Sequence, residues 1–327
     1  MANARLTFVG PAMRLDRYLR DRLGPQFGRR GVTALLRADE VRVNGRRAPK
    51  GLLLREGDEI VLPEHPVARR PLVAAPAALA IVHCDAEIVA IDKPPGMPST
   101  AGTSRETSVA AALLDRFPEM AAIDAVRAAG LVHRLDTGTS GLLVAVRTPA
   151  AYRRLRSAFA AKTIVKDYLA LVAGHLTGSG TIALPLARHP RSRKRMVVAP
   201  AGRGWHAETE YQPLAHTDDV TLVQLRMRTG VTHQLRAHLA QLGHPVIGDR
   251  RYNRSGRPSR SGRPGTATSA SCGTETAAWH YLHALRMRSD DPEVLGAVLA
   301  TPFPQHWAPL FARLGWPLDT SLSPATP

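Results

Sequence analysis

Cysteine is nearly missing from this chain of 327 residues: Cys84 and Cys272 stand far apart, and neither belongs to a C-x-x-C pair. That excludes a disulfide framework and a cysteine-based zinc site, and it suits a reducing compartment. Long apolar runs are missing too. No stretch approaches the roughly 18 apolar residues that a membrane span requires, and the opening "MANARLTFVGPAMRLDRYLR" lacks the apolar core of a secretory signal. The expectation is a cytoplasmic protein with no membrane partner. There is no G-x-x-x-x-G-K-S/T, no G-x-G-x-x-G after a strand, and no H-E-x-x-H among the 13 histidines. No metal, no nucleotide and no other cofactor are expected, which leaves chemistry that moves no electrons and consumes no nucleotide.

What the chain has in excess is positive charge. Lys and Arg number 44 against 27 Asp and Glu, a formal net charge of +17, with an isoelectric point near 11.0. Arginine supplies most of it. A GC-rich genome enriches arginine and alanine in any protein, so the charge points to a polyanion without requiring one. Arginine does suit nucleic acid, because its planar fork grips phosphate and stacks on bases.

Residues 13–62 read as a small module. "MRLDRYLRDRL" places Leu15, Tyr18, Leu19 and Leu23 on one helical face, with Arg14, Arg17, Arg20 and Arg22 opposite. "GVTALLRADE" repeats the pattern with Val32, Leu35 and Leu36. "VRVNGRR" alternates around Asn44-Gly45, the favoured pair for a type I′ hairpin, and carries Arg42. "GDEIVLP" closes with a strand. Residues 63–79 are rich in Pro and Ala and read as a linker.

A second domain is expected over 80–318. Thr148 and Pro149 are placed as N-cap and first-turn residues of a helix with Tyr152, Leu155 and Phe159 on one face. "TIVKDYLALVAG" has strand composition, with Lys166, Tyr168 and Ala170 on one side. "RHPRSRKRM" is a basic turn offering Arg188, Arg191, Arg193, Lys194 and Arg195 to a phosphate backbone. "THQLRAHLAQLGHP" predicts a helix with Thr232 as N-cap, a Leu235/Leu239/Leu242 stripe and Gly243 as stop. Residues 253–275 are basic, low in complexity and unable to bury a core, which predicts a flexible segment.

The chemistry concentrates in "LVHRLDTGTSGLLVA", residues 131–145. Asp136 sits between two apolar runs among glycines and hydroxyls. It is either a turn aspartate satisfying backbone N–H groups or a reagent. On a nucleoside, a carboxylate can stabilise or attack the glycosidic carbon, or abstract a sugar proton. Each role needs it ionised, which burial opposes and an arginine favours. Arg236 is the candidate counter-ion, although spacing alone cannot bring the two together.

"HRLDTGTSGLL", "KDYLALV", "TGVTHQLRAHL", "GHPVIGDRRY" and "LHALRM", in that order, resemble the RluA family of RNA pseudouridine synthases. "RLDRYL", "VRVNG" and "GDEIVL" resemble an S4-like RNA-binding module. The resemblance spans most of 13–290. It implies an α+β catalytic domain around a mixed, mostly antiparallel sheet, preceded by a small α/β S4-like module. It also implies isomerisation of uridine in RNA to pseudouridine, with the target base flipped from its stack.

Several roles follow from that resemblance. Asp136 is the catalytic aspartate, Tyr168 packs on the target base, Arg236 pairs with the aspartate, and Arg134 fills the space the base vacates. Charge alone, and not the resemblance, marks Lys93, in "DKPPG", as a phosphate contact, together with the 188–195 cations and, in the front module, Arg17 and Arg42. His133 is structural, and Thr139 and Ser140 hold the loop through local hydrogen bonds. The substrate expected is 23S-type large-subunit ribosomal RNA, acted on by a monomer. The alternatives are a transfer-RNA pseudouridine synthase, a non-catalytic S4-type RNA binder and a hydrolase that releases uracil. Val231 stands where the family usually has arginine, and 253–275 looks like an insertion.

Overall fold

The structure is a computed structural model that describes residues 3–23, 28–37, 41–49, 51–63, 74–100, 107–124, 128–192, 194–200, 202–253 and 278–317. The chain divides into two units, Met1–Pro71 and Leu72–Pro327. Apart from Asn253, the 253–275 segment lies outside the described residues, as do most of the 63–79 linker and Arg193.

In the first unit, β1 (Asn3–Thr7), α1 (Leu15–Leu23) and α2 (Gly28–Arg37) precede a hairpin of β2 (Arg42–Val43) and β3 (Arg46–Arg47), then β4 (Glu59–Pro63). The sheet order is β1-β4-β2-β3, antiparallel throughout. Asn44 and Gly45 take φ of 50° and 74°, the left-handed pair that a type I′ turn demands. Asn44 locks the turn further: its side chain donates to Asp58 at 2.8 Å and accepts from the Glu59 N–H at 2.9 Å. Leu15, Leu19, Val32, Leu35, Ile60 and Leu62 form the core. Arg17 and Arg42 face solvent, the first within 3.9 Å of Asp21. The sheet starts ten residues before the expected module, because Asn3–Thr7 pairs along the whole of β4.

The second unit is built on one sheet of nine strands. Its elements are β5 (Ala80–Cys84), β6 (Ile88–Lys93), α3 (Val109–Arg116), β7 (Ser140–Val146), α4 (Pro149–Ala161), β8 (Ile164–Ala173) and β9 (Gly180–Ile182). A small hairpin of β10 (Leu186–Arg188) and β11 (Met196–Val198) follows. Next come β12 (Thr209–His216), β13 (Val220–Met227), α5 (Gln234–Gln241), β14 (Leu282–Ser289), β15 (Leu299–Ala300) and α6 (Ala308–Leu314). The sheet order is β9-β12-β13-β8-β14-β7-β6-β5, with β15 on β14. Among the described residues only β14 and β7 run parallel. The class is therefore α+β around a mixed, mostly antiparallel sheet.

The central strand β8 is buried at every position, and its alternation divides two cores. Tyr168, Ala170 and Val172 join Ile91, Leu143 and Leu225 on one side. Leu169 and Leu171 join Leu222, Trp307 and Phe311 on the other. Thr148 caps α4 by accepting from the Ala151 N–H at 3.2 Å, with Pro149 in the first turn. At α5 the cap differs from expectation. His233, at φ 55°, occupies the N-cap position without a side-chain cap bond. Gln234 instead turns its amide back, its oxygen accepting from the Val231 N–H and the Thr229 hydroxyl at 3.1 and 2.9 Å. That bond closes the turn in which Thr232 was expected to cap. The helix ends at Gln241, so the stripe stops at Leu239 and Leu242 is exposed. Among the described residues no helix is long and apolar enough to cross a membrane.

Candidate active site

Asp136 lies on the loop that leads into β7, and neighbouring backbone holds that loop from both sides. The buried Ser99 hydroxyl donates to the Leu135 carbonyl at 2.8 Å and accepts from the Leu135 N–H at 3.0 Å. One residue beyond Asp136, the Thr137 carbonyl accepts from the Gly96 N–H at 2.7 Å and from Lys93 Nζ at 3.2 Å. Within the loop, the Thr139 N–H donates to the Asp136 carbonyl at 3.0 Å. Side chains at the following two positions reach across the sheet. Thr139 Oγ1 lies 2.8 Å from His280 Nε2, and Ser140 Oγ lies 2.9 Å from His283 Nδ1. Thr139 and Ser140 thus hold the loop through partners about 140 residues away, where local bonds were expected.

Arg236, from the first turn of α5, meets Asp136: its Nη1 donates to Oδ2 at 2.6 Å. Its other edge is taken by Asp249, to which Nε and Nη2 donate at 2.6 and 2.8 Å. The Asp249 Oδ1 atom also accepts the Arg251 N–H at 3.0 Å. Arg236 is therefore aimed by a bidentate partner, a geometry that suits the planar guanidinium. Burial opposes its charge, but the two carboxylates outweigh burial and raise its pKa. Burial also works against an ionised Asp136; the groups facing it, His233, Arg236 and His280, prevail and hold its pKa below the ordinary value. Of those, Arg236 carries a permanent charge. His233, with Nε2 3.6 Å from Asp136 Oδ1, is driven by burial to about 4 and is neutral at pH 7.

A cleft of about 410 Å³ opens over this pair. Arg134, Asp136, Lys166, Tyr168, Val231 and Arg236 are among the residues that line it. Tyr168 is buried, and burial together with the Asp136 charge raises its pKa, so it is a neutral phenol. Two positions earlier on the same face of β8, Lys166 donates to the Thr229 carbonyl at 2.8 Å, and burial lowers its pKa to about 8. Arg134 is exposed at the cleft. His133 accepts from the Val144 N–H at 2.9 Å; burial first, then the Lys166 charge, lowers its pKa to about 3 and keeps it neutral.

Lys93 corrects an expectation. It is fully buried, and Nζ donates to the carbonyls of Pro94, Met97 and Thr137 at 2.7, 2.8 and 3.2 Å. Two of its donors close its own Pro-Pro-Gly loop and the third reaches the loop of Asp136, so none is left for a phosphate. Arg188, Arg191 and Lys194 are exposed on the β10–β11 hairpin, outside the cleft. Arg195 is half-buried and lies 5.4 Å from the Tyr252 ring centre. Arg17 and Arg42 belong to the other unit. Val231 packs with the Leu186, Met196 and Tyr252 cluster, so an apolar contact replaces a cation there. The sequence reading overlooked Asp249 and Ser99. An acid inside the glycine turn "IGDRR" was a usable signal for the first; a serine in a Pro-rich loop gave none for the second.

Comparison with known proteins agrees with this geometry. Residues 87–241 match the family described as RNA pseudouridylate synthase. A protein of Aquifex aeolicus (strain VF5) named an uncharacterized RNA pseudouridine synthase is 36% identical over 252 residues, 74% of this chain and 78% of that one. Ribosomal large subunit pseudouridine synthase D of Escherichia coli (strain K12) is 34% identical over 250 residues, 76% of this chain and 74% of that one. The solved structure of human RNA Pseudouridylate Synthase Domain Containing 4 superposes with a TM-score of 0.56 at 25% identity, covering 72% of this chain and 93% of that one. An arginine-paired aspartate in the lining of a cleft, on this sheet and with these relatives, leaves one assignment: the chain belongs to the RNA pseudouridine synthases, the isomerases that convert uridine in RNA to pseudouridine.

Proposed function

We propose that Asp136 is the catalytic aspartate of this isomerase and that its substrate is large-subunit ribosomal RNA. The observation that carries the catalytic reading is the 2.6 Å contact from Arg236 to Asp136 in a cleft shared with Tyr168. The pairing keeps the carboxylate ionised in a buried setting, which attack on the glycosidic carbon and abstraction of a sugar proton both require. The bond from uracil N1 to ribose C1′ breaks and a bond from C5 to C1′ forms. N1 gains a proton and C5 loses one to solvent, so substrate and product are isomers. Tyr168, a neutral phenol against the flipped base, stacks on it, and its hydroxyl helps to pass the proton that leaves C5 on to solvent. Arg134, exposed at the cleft, enters the space the base leaves. The ribosomal substrate rests on relatives named for the ribosomal large subunit. On this reading the enzyme works in the cytoplasm as a monomer, with the exposed hairpin cations and the first unit holding RNA backbone.

The test is tritium release from RNA labelled at uracil C5, using ribosomal and transfer RNA that lack the modification. The expected result is release from the large-subunit fraction by wild type, none by Asp136→Asn, and no free uracil. Free uracil would make the protein a hydrolase, and release from transfer RNA alone would reassign the substrate.

A further inference from the structure

We propose that Trp279 is a stacking platform for an RNA base that flanks the target uridine. Four tryptophans occur in the chain. Trp307 is fully buried, and Trp316 packs on Phe311. Trp279 is 45% exposed, yet two glycines hold it in place. A Cβ on Gly96, at φ 90°, would fall 2.7 Å from the indole ring; a Cβ on Gly248, at φ 77°, would fall 2.5 Å from the Trp279 carbonyl oxygen. Ring and backbone therefore each rest on a position that only glycine leaves open.

Both supports lead to the active site. Gly96 donates its N–H to the carbonyl of Thr137, the neighbour of Asp136. Gly248 precedes Asp249, the residue that aims Arg236. The next residue, His280, is anchored on Thr139. An exposed indole is thus fixed beside the catalytic loop, adjoining the segment just after Asp136, while Arg134 stands two residues before it.

The occupant follows from the reaction. Flipping a uridine out of a stack deprives its neighbours of a stacking partner. An aromatic face beside the catalytic loop restores one, and it does so for any base, since every base has a π-face. The inference rests on the pseudouridine synthase reading of the cleft and adds a substrate contact to it.

The experiment uses the full chain and two RNA probes: a 12-mer of uridine and a ribose-phosphate 12-mer without bases. Trp279→Ala is expected to weaken binding of oligouridine roughly five- to hundredfold and to leave the abasic strand unaffected. Trp279→Phe should recover most of the loss. In Trp205→Phe protein, which removes the other strongly exposed indole, oligouridine should quench the tryptophan fluorescence and the abasic strand should not. Equal losses for both strands would make Trp279 a structural residue, and no loss with no quenching would remove it from the RNA path; either result overturns the proposal. Quenching together with failed tritium release would leave the platform standing and sink the Asp136 reading alone.

Discussion

Replacing Asp249 by asparagine should damage both fold and catalysis, although the residue touches no substrate. Asp249 is 1% exposed and holds Arg236 through two bonds of 2.6 and 2.8 Å. Losing one partner of a buried ion pair costs about 3–5 kcal/mol. Asp136 still faces Arg236, so the lower end, about 3 kcal/mol, is expected. At about 2–4 °C per kcal/mol for a unit of this size, the thermal midpoint should fall by roughly 6–12 °C. The freed guanidinium would also turn away from Asp136, and misplacement on the order of 1 Å costs about a hundredfold in rate. Single-turnover tritium release at saturating RNA reads that loss, and RNA affinity should stay within about twofold of wild type. Burial raises the Asp249 pKa, but its bonds to Arg236 outweigh burial and lower it. Its contribution is therefore complete above the unfolded value of about 3.9 and is lost as pH falls through the lowered native value. The stability gap between wild type and variant should close over that acid window. A midpoint within about 2 °C of wild type with turnover within threefold would refute the reasoning.

Lys93→Met should lower stability by about 2–4 kcal/mol and abolish tritium release, because three carbonyls around the catalytic loop lose their donor. The salt dependence of RNA binding should not move, whereas a phosphate-contacting lysine would reduce its slope by about 0.7–0.9. Replacing Arg188, Arg191 and Lys194 together by alanine should leave the melting curve in place and cut that slope by about 2–3, measured by titration at several salt concentrations. His133 is neutral in the fold down to about pH 3, whereas the unfolded chain takes up its proton near 6.5. Stability should thus fall as pH drops below 6.5, and His133→Asn should remove on the order of 1–2 kcal/mol of that fall between pH 6.5 and 5 in urea titrations. An unchanged slope would mean that His133 is not buried as a neutral acceptor.

The local elements were readable from the chain because short-range physics decides them. Asn44-Gly45 accepts two left-handed residues in succession and so makes its hairpin. Thr148-Pro149 offers a side-chain acceptor and a fixed φ, and so starts α4. Period-two alternation put Lys166 and Tyr168 on one face of β8. The glycine- and hydroxyl-rich run after Asp136 marked a loop in which a carboxylate could be a reagent. Where a side chain competed with the backbone the reading failed: Gln234, not Thr232, closes the turn before α5.

Long-range packing decided the rest. Asp136 and Arg236 are 100 residues apart in the chain, and only the sheet and α5 bring them to 2.6 Å. Lys93 beside Pro-Pro-Gly reads as a phosphate contact, until its own loop and the loop bearing Thr137 close over it and their carbonyls accept its three N–H bonds. Asp249 and Ser99 act by orienting other groups, a role that leaves no pattern in a single sequence. Sequence by itself determined which residues carry charge, reactivity and turn geometry, because those are properties of each residue and its near neighbours. The tertiary structure alone decided which charges meet, which are buried and which are left for RNA, because those depend on distance and solvent.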